Sequence, residues 1–97
     1  MIRSFGDRTT ENFFHGHETR ETRRFQKDLA RATLRKLDML NAAASLNDLK
    51  VPPGNRLEAL KGDLAGKFSI RVDSRWRVVF RWDLDSAWDV QLMDYHG

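Results

Sequence analysis

The chain has 97 residues, with 17 Lys and Arg against 14 Asp and Glu, for a net charge of +3. That length is one domain's worth of chain, and an excess of three charges is thin ground for a nucleic-acid partner. No cysteine is present, which excludes a disulfide framework, a thiolate metal site and a cysteine nucleophile.

No apolar run approaches the roughly 18 residues of a membrane helix. Residues 1–7 carry no secretory signal, so a soluble, cytoplasmic protein is expected. Apolar residues at 40% and charged residues at 32% suit one small globular domain over residues 1–97. Residues 2–5 can pair at a sheet edge, and residues 9–14 read as a short helix capped by Thr9 or Thr10. His15 and His17 then interrupt; their spacing offers an ion two ligands with no obvious third, so neither a metal nor another cofactor is expected. Residues 19–44 hold no Gly or Pro and read as a single long helix. Phe25, Leu29, Ala32, Lys36 and Leu40 form its inner stripe, with Leu37 and Ala44 beside it. Arg20, Arg23, Arg24, Lys27, Arg31 and Arg35 form its outer face, which fits a solvated surface, an RNA contact or a protein-docking surface equally well. Leu46 to Leu49 make a short ending turn, and residues 51–55, with two prolines and a glycine, break the helix.

Beyond the break the periodicity changes to two. Residues 56–60 suggest a short strand, and residues 67–72, 75–83 and 87–93 read as half-buried strands joined by tight turns. Helices first and strands later predict an α+β domain, with N-terminal helices packed on an antiparallel sheet. One sheet face collects Phe68, Ile70, Val72, Trp76, Val78, Phe80, Trp82, Trp88, Val90 and Leu92, and all three tryptophans are read as core rather than as a base-stacking surface. The other face collects Lys67, Ser69, Arg71, Arg75, Arg77 and Arg81. Residues 67–82 carry +4 and residues 83–97 carry −4, so the small net charge hides a concentrated cationic segment. Such a face draws polyanions, and Lys67, Arg71, Arg75 and Arg81 become candidate phosphate contacts. A solvated face salt-bridged to Asp85 or Asp89 is the alternative.

The chain closes on Asp94-Tyr95-His96-Gly97, which sets a carboxylate, a phenol and an imidazole beside the basic strands. An imidazole titrates near neutrality and suits proton transfer. Upstream run Pro53-Gly54-Asn55-Arg56-Leu57-Glu58-Ala59-Leu60-Lys61-Gly62-Asp63, then Phe68-Ser69-Ile70-Arg71-Val72 and Arg75-Trp76-Arg77-Val78-Val79-Phe80. Together with the opening Met1-Ile2-Arg3-Ser4-Phe5 and the terminal triplet, this order resembles the HigB family of toxin–antitoxin toxins, a branch of the RelE superfamily also known as plasmid maintenance system killer proteins.

The resemblance implies a RelE-like, microbial-ribonuclease-like fold and a ribosome-dependent mRNA endonuclease, an mRNA interferase that inhibits translation. It also implies a cognate HigA-like helix-turn-helix antitoxin. The family's terminal Asp, Tyr and His fall on Asp94, Tyr95 and His96, its lysine on Lys61 and its central-strand arginine on Arg77. A histidine that some members carry is replaced here by Glu58, as it is in other members. The implied chemistry is metal-independent attack of a ribose 2′-hydroxyl on the adjacent phosphorus. Glu58 is the candidate base, His96 the candidate acid, and Arg77 and Lys61 the phosphate holders. Tyr95 would stack on a base or donate to phosphate, and Asp94 would orient Tyr95 or His96 or bond Arg77. The competing class is a non-catalytic module that holds RNA or an acidic antitoxin segment on the same basic sheet.

Overall fold

The computed structural model describes residues 1–94. Three α-helices precede the sheet: α1 (Arg8–His15), α2 (Arg20–Arg23) and α3 (Lys27–Ala42). Four strands follow: β1 (Glu58–Ala59), β2 (Phe68–Arg71), β3 (Trp76–Asp83) and β4 (Ser86–Asp94). They form an antiparallel meander in the order β1-β2-β3-β4, in agreement with the α+β expectation.

Helix α1 begins one residue earlier than expected, and its cap lies two residues before Thr9. The cap is Asp7, whose carboxylate accepts the Thr10 N–H at 2.9 Å. Thr10 is instead buried, and its hydroxyl accepts the Leu92 N–H at 2.9 Å, tying α1 to β4. Gly16 ends the helix at φ 70°, which lets the His17 N–H return to the Asn12 carbonyl at 2.9 Å.

The single long helix is not what forms. It splits into α2 and α3 at Arg24-Phe25-Gln26, where Gln26 is extended at φ −61°, ψ 148°. Thr19 and Thr22 cap α2 reciprocally, and the break turns Phe25 inward. There its ring meets Phe13 of α1 and Trp76 of β3, each edge-on at 5.3 Å. Two aromatic contacts outweigh the few backbone bonds that continuity would have added. The buried line of α3 is Thr33, Leu37 and Leu40: Leu37 and Leu40 are buried as expected, whereas Leu29, Ala32 and Lys36 of the expected stripe are only half-buried.

The core lies between the helices and one sheet face, where Phe13, Leu37, Leu40, Leu49, Ile70, Val78, Phe80, Ala87, Val90 and Leu92 pack together. Residues 2–5 run parallel to β4 and bridge it at Ile2–Ala87 and Phe5–Val90, closing that sheet edge as expected. Gly6 is required there, since a Cβ would sit 2.8 Å from the Gln91 side-chain oxygen and 3.1 Å from the Asp89 carbonyl.

One strand departs from simple alternation. Val79 pairs with Gln91 but Arg81 pairs with Trp88, so Asp89 and Val90 together oppose Phe80. Asp89 adopts φ 55° and its N–H donates to the Ser4 hydroxyl at 2.8 Å. This β-bulge shifts the phase of β4. Ala87 becomes the core residue, and Trp88 moves to the outer face beside Arg81. The expectation that Trp88 joins the core is therefore corrected, whereas Trp76 and Trp82 do pack against it.

Candidate functional site

The outer sheet face is less open than its alternation implied. Ser69 and Val79 are buried, and Arg77 is only 8% exposed. Strand pairing puts Ser69 of β2 between Glu58 of β1 and Val79 of β3, with Arg77 opposite Arg71 one step along. The Arg77 guanidinium is held from several sides: Nε donates to the Ser69 hydroxyl at 2.7 Å, and an Nη2 proton goes to the Arg56 carbonyl. Arg56 presents that carbonyl from a left-handed conformation at φ 44°. Glu58 stands at 4.0 Å from the same guanidinium, with its own side chain half exposed. Serine hydroxyl and peptide carbonyl are neutral acceptors, so they fix the arginine's orientation without cancelling its charge.

The loop that carries the Arg56 carbonyl is itself anchored. Asn55 is fully buried, donates to the Leu49 carbonyl at 3.1 Å and accepts from Lys36 Nζ at 2.6 Å. Lys36, on α3, has its pKa pushed down, first by burial and then by the neighbouring charges of Arg35 and Arg71. It was read from sequence as part of an apolar stripe, although a lysine in a line of Leu and Ala is itself a flag. Arg71 thus links two cationic neighbours: its charge bears on Lys36, and it pairs across the strands with Arg77, the arginine beside Glu58.

Arg75 and Asp94 meet at the start of β3, one pairing position from Arg77. Asp94 lies opposite Trp76 and accepts from Arg75 Nε at 2.9 Å and Nη2 at 2.7 Å. The Arg75 pKa is raised, chiefly by its hydrogen bond to Asp94 and by that carboxylate's charge. This pair holds the end of β4 against the turn before β3. Tyr95 and His96, the expected stacking and acid groups, follow directly in sequence but lie outside the described residues. Lys61 is exposed in the loop after β1, at the extended residue that precedes the Gly62–Leu64 turn. Lys67 is partly exposed and borders β2, its carbonyl accepting from Leu60.

Arg81 differs from the other expected phosphate contacts. It lies 3.7 Å from Asp83, 3.5 Å from Asp89 and 5.3 Å over the Trp88 ring. The alternative reading of a salt-bridged face is thus realised at this end of β3, through Asp89. The evenly cationic sheet face is replaced by a positive centre around Arg71 and Arg77 and a balanced end around Arg81. His15 and His17 rings lie 5.8 Å apart, and among the described residues no group of three or more His, Cys, Asp or Glu could hold an ion. No helix among the described residues is long and apolar enough to cross a membrane.

The family model of the RelE-like toxin of the type II toxin–antitoxin system HigB matches residues 3–96. Toxin HigB-1 of Vibrio cholerae serotype O1 is 39% identical over 82 residues, spanning 84% of each chain. An uncharacterised protein of Haemophilus influenzae is 38% identical over 56 residues, spanning 58% of this chain and 55% of its own. Among solved structures, the YoeB–YefM complex from Staphylococcus aureus contains a chain with TM-score 0.61 and 16% identity, matched over 100% of this chain and 99% of that one. That likeness concerns the fold alone, and the family rests on the sequence matches. The chain therefore belongs to the HigB-like branch of the RelE-like toxins of type II toxin–antitoxin systems.

Proposed function

We propose that this toxin cleaves messenger RNA on the ribosome, with the Glu58–Arg77 neighbourhood as its reaction centre. The observation that carries the reading is the oriented, nearly buried guanidinium of Arg77 with a half-exposed carboxylate 4.0 Å away. Glu58 removes the proton of a ribose 2′-hydroxyl as that oxygen attacks the adjacent phosphorus. Arg77 and Lys61 hold the phosphate as negative charge builds on its oxygens, and Lys67 and Arg71 contact the flanking backbone. His96 protonates the departing 5′-oxygen, and Tyr95 stacks on a base or donates to phosphate. Atoms balance without a metal or cofactor: one P–O bond forms, one breaks, and a proton passes from the 2′-oxygen to the 5′-oxygen through the two groups. The toxin acts in the cytoplasm and is neutralised by an antitoxin of the HigA-like, helix-turn-helix kind. The YoeB–YefM neighbour, itself a toxin–antitoxin complex, supports a protein partner of that class.

Primer extension on messages from cells expressing the chain tests the reading. New 5′ ends within translated frames are expected from the unaltered protein. Glu58→Gln, Arg77→Lys and His96→Gln are each expected to reduce them by about 100-fold, the scale of one lost proton-transfer group or charge donor. Full cleavage by Glu58→Gln would remove it as base, and full cleavage by His96→Gln would remove it as acid. Growth arrest without new ends would favour the non-catalytic binding module.

A further inference from the structure

The basic outer face of the helices fits an RNA contact or a protein contact equally well as a sequence. Its shape separates the two. Arg23, Lys27 and Arg31 do not stand on a flat surface; they rim a groove of about 310 Å³ between α1, α2 and α3. The floor of that groove is apolar, built from Phe13, Phe25 and Leu34. Three cations line the groove against one carboxylate, Glu18, and Arg31 lies 3.7 Å from Asp28 with both side chains largely in water, a pair worth little.

An RNA strand uses the cations of such a rim but gains little from the floor, because Phe13 is buried and the Phe25 ring is already packed edge-on against Phe13 and Trp76. An amphipathic acidic segment uses both, setting apolar anchors into the floor and carboxylates against the rim. We propose that this groove docks an acidic amphipathic segment of the antitoxin. The assignment of the partner rests on the toxin reading, and not on the chemistry placed at Glu58 and Arg77. The groove belongs to the helical layer. Val78 and Phe80 face that layer, so the intervening alternation sends Arg77 to the opposite side of the sheet. A segment seated in the groove grips the toxin while leaving the Glu58–Arg77 face uncovered.

The test compares two ligands on this chain: its purified cognate antitoxin and a fluorescently labelled oligouridylate. One variant reverses the exposed rim (Arg23→Glu with Lys27→Glu and Arg31→Glu), and a second carries Leu34→Glu in the floor. Circular dichroism checks that the rim variant, which alters only exposed residues, keeps its fold. Antitoxin affinity is expected to fall at least about tenfold in each variant, with oligouridylate affinity and message cleavage unchanged. Unchanged antitoxin affinity in the folded rim variant overturns the proposal. So does loss of oligouridylate binding with antitoxin binding intact, which would assign the groove to RNA. Failure of the nuclease reading appears separately, as absent cleavage by the unaltered chain.

Discussion

Asn55 and Thr33 are both fully buried polar residues, and they sit in opposite circumstances. The Asn55 amide bonds Lys36 and the Leu49 carbonyl, joining α3 to the loop whose next carbonyl orients Arg77. The Thr33 hydroxyl has no hydrogen-bond partner among the described residues. A buried hydroxyl without a partner costs on the order of 1 kcal/mol or more, and losing one side of a buried bond costs about 1–3 kcal/mol. Thr33→Val is therefore expected to raise the unfolding free energy by about 1 kcal/mol, and Asn55→Ala to lower it by about 2 kcal/mol. Paired urea titrations check both, and a stabilising Asn55→Ala would contradict the anchoring role. At this scale sequence reading was uneven. Arg77 and Glu58 were singled out and do come together. Lys36, Asn55 and Ser69 were missed as their supports, because burial and partners are tertiary facts that spacing does not encode. The chemical identity of Asn55 inside Pro-Gly-Asn-Arg was visible; that its amide points inward was not.

Elements were legible where one periodicity dominated. The three long strands appear within a residue or two of their expected limits, and the turn at Leu84-Asp85 has both residues at positive φ, 52° and 55°, as a two-residue hairpin of this kind requires. Two elements were misread for a shared reason: a local pattern was continued through a point where a distant contact interrupts it. Phe25 leaves its helix for Phe13 and Trp76, and Asp89 leaves its strand register for Ser4. The turn after α3 offers a prediction of its own. The Asp48 carboxylate accepts the Ala44 N–H at 2.9 Å and the Ser45 N–H at 3.1 Å, and these bonds lower its pKa from 3.8. A lowered folded value means that the stabilisation is present in full above the ordinary 3.8 and is lost as pH falls through the folded value. Asp48→Ala is expected to lower the urea midpoint at neutral pH and to leave it unchanged near pH 2. An equal loss at both pH values would show that the charge is irrelevant.

For the whole molecule, charge is better described by pairing than by sum. The +4 and −4 segments of the sequence fold against each other, so that Asp94 takes Arg75 while Asp83 and Asp89 take Arg81. Lys61, Lys67 and Arg71, together with Arg77 beside Glu58, are the cations proposed for a phosphate backbone. Contacts of these four with single-stranded RNA predict a log–log salt slope of about −3 for binding, against about −4 if Arg75 and Arg81 also engage. Titrating oligouridylate affinity against salt distinguishes the two. The architecture as a whole was readable, since one helical layer on one antiparallel meander is what this order of patterns produces. The basic sheet face was readable only as a tendency, because Arg75, Arg77 and Arg81 are equivalent in alternation and differ only in what the fold sets beside them.

The clasp of residues 2–5 along β4 also bears on how such a protein is born. Ile2 meets Ala87 and Phe5 meets Val90, so residues that leave the ribosome early find their partners only after nearly the whole sheet has been synthesised. Contacts this far apart along the chain form late and slowly. Closure of that sheet edge therefore waits on β4, however early residues 2–5 are made.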